Sequence, residues 1–96
     1  MSVYIVLGKF TQEGITKIKD SPQRLEASRK SVQSLGGEMK AFYYTMGQYD
    51  YVAIIEMPNN EAMMKGLLRG GSRGSVSTET LVAIPAEQAA EIIKEL

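Results

Sequence analysis

The chain contains no cysteine, no histidine and no tryptophan. Without cysteine there can be no disulfide, no thiolate nucleophile and no zinc-finger ligand set. Without histidine the commonest general base is missing, and with it the His-based triads and the usual proximal haem ligand. A metal site would have to be assembled from carboxylates, and no acidic cluster of the calcium-loop type is present. An excess of one charge is lacking too. Eleven basic residues balance eleven acidic ones, so no overall field steers the chain onto nucleic acid or an anionic membrane. The opening Met1-Ser2-Val3-Tyr4 has neither the basic stretch nor the long apolar run of a signal peptide. No apolar stretch approaches the ~18 residues that span a bilayer. These exclusions lead to the expectation of a cytoplasmic protein with no cofactor and no metal, and with neither nucleic acid nor membrane among its partners.

The pattern of what is present predicts one domain over residues 1–96, small enough that burying further surface against a partner would help it. Val3-Tyr4-Ile5-Val6-Leu7 is apolar on both parities, as in a central strand. Thr11 can cap a short helical turn that places Ile15 and Ile18 inward. Asp20 or Ser21, followed by Pro22, signals a second start. Leu25, Ser28, Val32 and Leu35 then recur at the spacing of an amphipathic helix, which Gly36-Gly37 stops. Glu38–Thr45 alternates as a strand, with Met39, Ala41 and Tyr43 on one face. Tyr51–Met57 is nearly all apolar, as a second central strand would be. Pro58-Asn59-Asn60 breaks it, and Ala62, Met63, Met64, Leu67 and Leu68 form the buried side of a further helix. Arg69–Ser75 reads as a Gly/Ser/Arg loop, which lacks the spacing of a phosphate-binding Walker loop. Val76–Ile84 is a fourth strand. A last helix carries Ala89, Ile92, Ile93 and Leu96 as its apolar stripe.

The order β-α-β-β-α-β with a terminal helix is the split βαβ, or ferredoxin-like, α+β pattern. Helices cover one face of such a sheet. The apolar residues on the other parity of the two central strands would leave a sticky surface, so two copies are expected to pack sheet against sheet.

Four of the five tyrosines fall in Tyr43-Tyr44-Thr45-Met46-Gly47-Gln48-Tyr49-Asp50-Tyr51, the loop and strand ends between the second and third strands. Gly47-Gln48-Tyr49-Asp50 resembles the motif of the GYD-domain family. Leu7-Gly8-Lys9-Phe10-Thr11, Asp20-Ser21-Pro22, Leu35-Gly36-Gly37 and Thr78-Glu79-Thr80-Leu81 extend the resemblance over nearly the whole chain. It implies a small protein of the dimeric α/β-barrel group, pairing through its sheet. That group spans cofactor-free monooxygenases, isomerases, haem enzymes and amino-acid-sensing domains, so the fold does not choose a function.

The candidate ligand-binding residues are Tyr43, Thr45, Tyr49 and Asp50, whose hydroxyls and carboxylate could orient a small organic molecule in a cavity between sheet and helices. The same residues also serve as turn formers and packing groups. No catalytic residue stands out. The chain is therefore expected to be a small-molecule-binding or structural module forming a homodimer or higher homo-oligomer. The alternative is a cofactor-free, monooxygenase- or isomerase-like enzyme, for which the absence of His and Trp is a handicap.

Overall fold

A computed structural model of the chain covers residues 1–96. Its elements run β1 (Ser2–Phe10), α1 (Gln12–Thr16), α2 (Ser21–Ser34), β2 (Glu38–Tyr44), β3 (Tyr51–Met57), α3 (Asn60–Gly71), β4 (Val76–Ala83) and α4 (Ala86–Lys94), with one 3-10 turn at Ile18–Asp20. The four strands form one antiparallel sheet in the order β2-β3-β1-β4. The two most apolar strands are thus the central pair, as their composition requires.

Local chemistry sets the boundaries. The Thr11 hydroxyl accepts from the Gly14 N–H at 3.2 Å and starts α1. The Asn59 side chain accepts from the Ala62 N–H at 2.9 Å and starts α3. Pro22 occupies the first turn of α2, where a missing N–H costs nothing. After α2 the chain leaves through Gly36 at φ 86°, a left-handed conformation that glycine tolerates.

The core lies between the sheet and the pair α2/α3. Tyr4, Val6, Tyr51, Ala53, Ile55 and Met57 point from the central strands onto buried Val32 of α2 and Met63 of α3. Gly37 threads past this layer without a side chain. A Cβ there would sit 2.3 Å from the Glu56 carbonyl oxygen and 2.5 Å from Met57 Sδ.

Four expectations are corrected. A bulge between Met39 and Ala41 breaks the alternation of β2: Met39 pairs with Ile55 while Ala41 pairs with Ile54, leaving Lys40 as the extra residue. Met39 therefore shares the helix-covered face with Phe42 and Tyr44, and Ala41 and Tyr43 lie on the opposite face. Second, Ile15 is 50% exposed and Ile18 41%, because α1 is too short to lie across the sheet. Third, Met64 and Leu68 are exposed, so the buried stripe of α3 narrows to Ala62, Met63 and Leu67. Fourth, Arg69-Gly70-Gly71 is the last turn of α3 rather than loop. The Ser72 N–H donates to the Leu68 carbonyl at 2.9 Å and carries the helical ladder past both glycines.

The glycines make these constraints measurable. Gly37→Ala should lower stability by about 1–3 kcal/mol, the cost of forcing a methyl into a packed site. Gly70→Ala, where nothing lies within 4 Å of the added Cβ, should instead raise stability by up to about 1 kcal/mol through helix propensity. Urea unfolding of both variants checks the pair. A neutral Gly37→Ala would contradict the close approach of Gly37 to Glu56 and Met57.

Candidate functional site

The loop Thr45–Asp50 is held against the end of β1 by its own polar groups. The Asp50 carboxylate accepts from the Phe10 N–H at 2.9 Å. The Asp50 N–H donates to the Gly8 carbonyl at 2.7 Å, and the Asp50 carbonyl accepts from the Thr45 N–H at 2.8 Å. The Thr45 hydroxyl donates to the Tyr49 carbonyl at 2.7 Å. Gly47 turns the loop at φ 111°. Tyr49 lies across the end of the sheet, its hydroxyl 3.4 Å from Glu79 and its ring 5.4 Å from the Lys9 ammonium. Tyr43 is 61% exposed and paired with Val52 on the face that no helix covers.

The four candidates are therefore neighbours without converging on an enclosed space. Asp50 and Thr45 are engaged with backbone. Tyr43 and Tyr49 belong to the uncovered side. The expected cavity between sheet and helices does exist, but other residues line it. It is a cleft of about 140 Å³ whose floor includes Val6, Phe10, Phe42, Tyr51 and Ala53 and whose walls come from α2 and α3.

Tyr51 is the pivot between loop and cleft. Its ring lies directly over Gly8, where a Cβ would approach Tyr51 Cζ to 2.0 Å. Phe42 stacks on it at 5.0 Å between centroids, and Phe10 meets it at 5.8 Å. Burial pushes its phenol pKa up to about 12, so the group stays neutral well above the pH at which a free tyrosine ionises. Sequence reasoning misses Tyr51, which reads as one more apolar position of a central strand. The signal in the sequence is Gly8, which interrupts the apolar run of β1 as a bulge or a close approach would, without showing that Tyr51 is the residue that approaches. Ser21, the second buried polar group near this end, is satisfied by the Tyr44 hydroxyl at 2.9 Å.

A four-stranded antiparallel sheet in this order, with helices on one side, defines a ferredoxin-like α+β protein. Residues 4–93 match the GYD domain, and the chain belongs to the GYD-domain family. It is 34% identical over 86 residues to the glutamine synthetase and cystathionine beta-lyase binding protein of Thermus thermophilus, covering 88% of this chain and 90% of that one. Among solved structures, the crystal structure of a Thermus thermophilus protein superposes with a TM-score of 0.57 at 25% identity, over 90% of this chain and 96% of the other. A feast or famine regulatory protein from M. tuberculosis, complexed with L-methionine, superposes with a TM-score of 0.68 at 17% identity. That match covers 90% of this chain and 52% of the other, and shows a shared fold. No helix of the chain is long and apolar enough to cross a membrane.

Tyr51 supplies a pH test. Its ordinary pKa of 10.0 rises to about 12 on folding. Between those values the unfolded state holds fewer protons than the folded one, so stability should fall as pH rises from 10 towards 12. Ultraviolet titration at the tyrosinate band should show a late-ionising component that Tyr51→Phe removes. A titration curve that Tyr51→Phe leaves unchanged above about pH 11 would refute the burial of that phenol.

Proposed function

We propose that the chain is a cytoplasmic, non-catalytic binding and assembly module that pairs with a second copy through the uncovered face of its sheet. One observation carries this reading: that face is apolar at its centre. Val3, Ile5 and Leu7 of β1 alternate with the buried parity and sit beside Val52 and Ile54 of β3, with Ala41 and Tyr43 on one flank and Leu81 on the other. Charges gather at its ends. Glu38 and Glu56 lie opposite each other, with the Lys40 ammonium 3.1 Å from Glu38. That hydrogen bond, together with the charges of Glu38 and Glu56, raises the Lys40 pKa above its ordinary value. Lys9, Glu79 and Tyr49 mark the other end. An apolar centre within a polar rim is the anatomy of a protein interface.

Magnitudes support the same partner surface. Four strands spaced ~4.8 Å apart and about eight residues long present roughly 500 Å² in projection. A stable pairing buries about 800 Å² per partner. Helix α4, with Ile92 and Ile93 exposed, offers further apolar surface. Association as the working principle also accords with the Thermus relative, whose name records binding to two enzymes. By the same analogy, other proteins are natural partners for the assembled form. A ligand contact through Tyr43, Thr45, Tyr49 and Asp50 belongs to this picture at the paired face, where a second copy would close over the two tyrosines. A cofactor-free enzyme is the weaker reading because those four groups do not converge on the cleft.

Sedimentation velocity at micromolar concentration should give a dimer or a larger closed assembly. Ile54→Glu places a charge at the centre of the uncovered face and should shift the population to monomer while leaving the helix-covered core intact by circular dichroism. A wild-type monomer under these conditions would refute the pairing.

A further inference from the structure

The cleft between the sheet and the pair α2/α3 combines three properties that the pairing face does not explain. First, its charged lining is of one sign. Arg24, Arg69 and Arg73 line it, and no aspartate or glutamate does, although the chain as a whole has as many acidic as basic residues. Second, these guanidiniums are not neutralised. The four ion pairs of the chain involve Lys17, Arg29, Lys40 and Lys94 and none of the three. Arg24 donates only to the Lys17 carbonyl at 3.3 Å, and Arg69 to the Ser31 hydroxyl at 3.4 Å, reaching from α3 to α2. Glu13 and Asp20 share a neighbouring groove with Arg24 and Arg73, whereas Arg69 does not line that groove. Third, the floor beneath this mouth is aromatic: Phe42 stacks on Tyr51 and Phe10 packs against it at a tilt.

Size limits what can enter. The volume of about 140 Å³ is close to the roughly 150 Å³ of an apolar cavity that takes up benzene. The occupant's buried part is therefore one ring or a short alkyl chain. Its polar part must meet arginines, whose planar donors match a carboxylate in two-point contact.

We propose that this cleft binds a small organic carboxylate, with its apolar body on Phe10, Phe42 and Tyr51 and its carboxylate at the mouth on Arg69, assisted by Arg73 and Arg24. Serine hydroxyls of α2, Ser28 and Ser31, stand beside the carboxylate position. The site lies on the opposite side of the sheet from the pairing face, so it does not depend on the proposed assembly.

The test is a two-dimensional amide NMR titration of the wild-type chain with phenylacetate, with phenylacetamide and inorganic phosphate as controls. Phenylacetate should give saturable shifts at amides of α2 and at the C-terminal turn of α3. The neutral amide, which keeps the ring, and phosphate, which keeps only the charge, should each bind at least about tenfold more weakly. An Arg69→Ala/Arg73→Ala double variant should lose about tenfold or more in phenylacetate affinity, with an otherwise unchanged spectrum and unchanged sedimentation. Equal binding of phenylacetamide would overturn the proposal, and this comparison uses only the wild-type protein. So would shifts confined to the outer face of the sheet, or no saturation up to about 20 mM. A monomer in sedimentation with intact phenylacetate binding would remove the pairing and leave the site standing.

Discussion

The contact between Gly8 and Tyr51 organises this molecule. Only a residue without a Cβ lets the Tyr51 ring lie flat across β1, since any added methyl would meet the ring at 2.0 Å. The contact fixes the register at one end of the β1/β3 pair, where Gly8 is opposite Tyr51. It also brings Phe42 and Phe10 around one ring. Asp50, the residue just before Tyr51, secures the arrangement by binding the backbone of β1 at both Gly8 and Phe10. The motif that looks most like an active site in the sequence is thus the clamp that presents an aromatic floor to the cleft.

Much of the architecture was legible because its signals are local. Thr11, Asn59, Pro22 and Gly36 act within one turn of chain, and the apolarity of β1 and β3 reports burial directly. What could not be read depended on events between strands. The bulge at Lys40 inserts one residue, and a single insertion moves every later side chain of β2 to the other face. That is why Tyr43 lies outside and Phe42 inside. Helix stripes mislead for a related reason. Periodicity assigns Met64 and Leu68 to the core, but a helix lying on a small sheet buries only a narrow strip of its surface, and Met63 and Leu67 take it.

The candidate site was legible only in fragments. Gly47, Tyr49 and Asp50 announce a turn, and they make one. The cleft draws its lining from strands and helices scattered along the chain, so no contiguous motif marks it. Arg69-Gly70-Gly71 gave the nearest hint, and its glycines suggested a loop. Extension of α3 through them changes their meaning. A helix end holds Arg69 in a fixed position facing α2, whereas a loop would spend conformational entropy to put it there.

The sheet therefore separates two kinds of surface by strand alternation alone. Along β3, Tyr51, Ala53 and Ile55 face the helices, while Val52 and Ile54 face outward. Both parities are apolar, but their surroundings differ. The helix side is partly closed by α2 and α3 and carries unpaired arginines at its mouth, so the space left there suits a small molecule with a negative end. The outer side is open and broad, and its charges are confined to its margins. A small molecule could not cover it, whereas a second sheet would match its width. What strand alternation builds with 96 residues is a recess on one side of the sheet and a broad apolar face on the other.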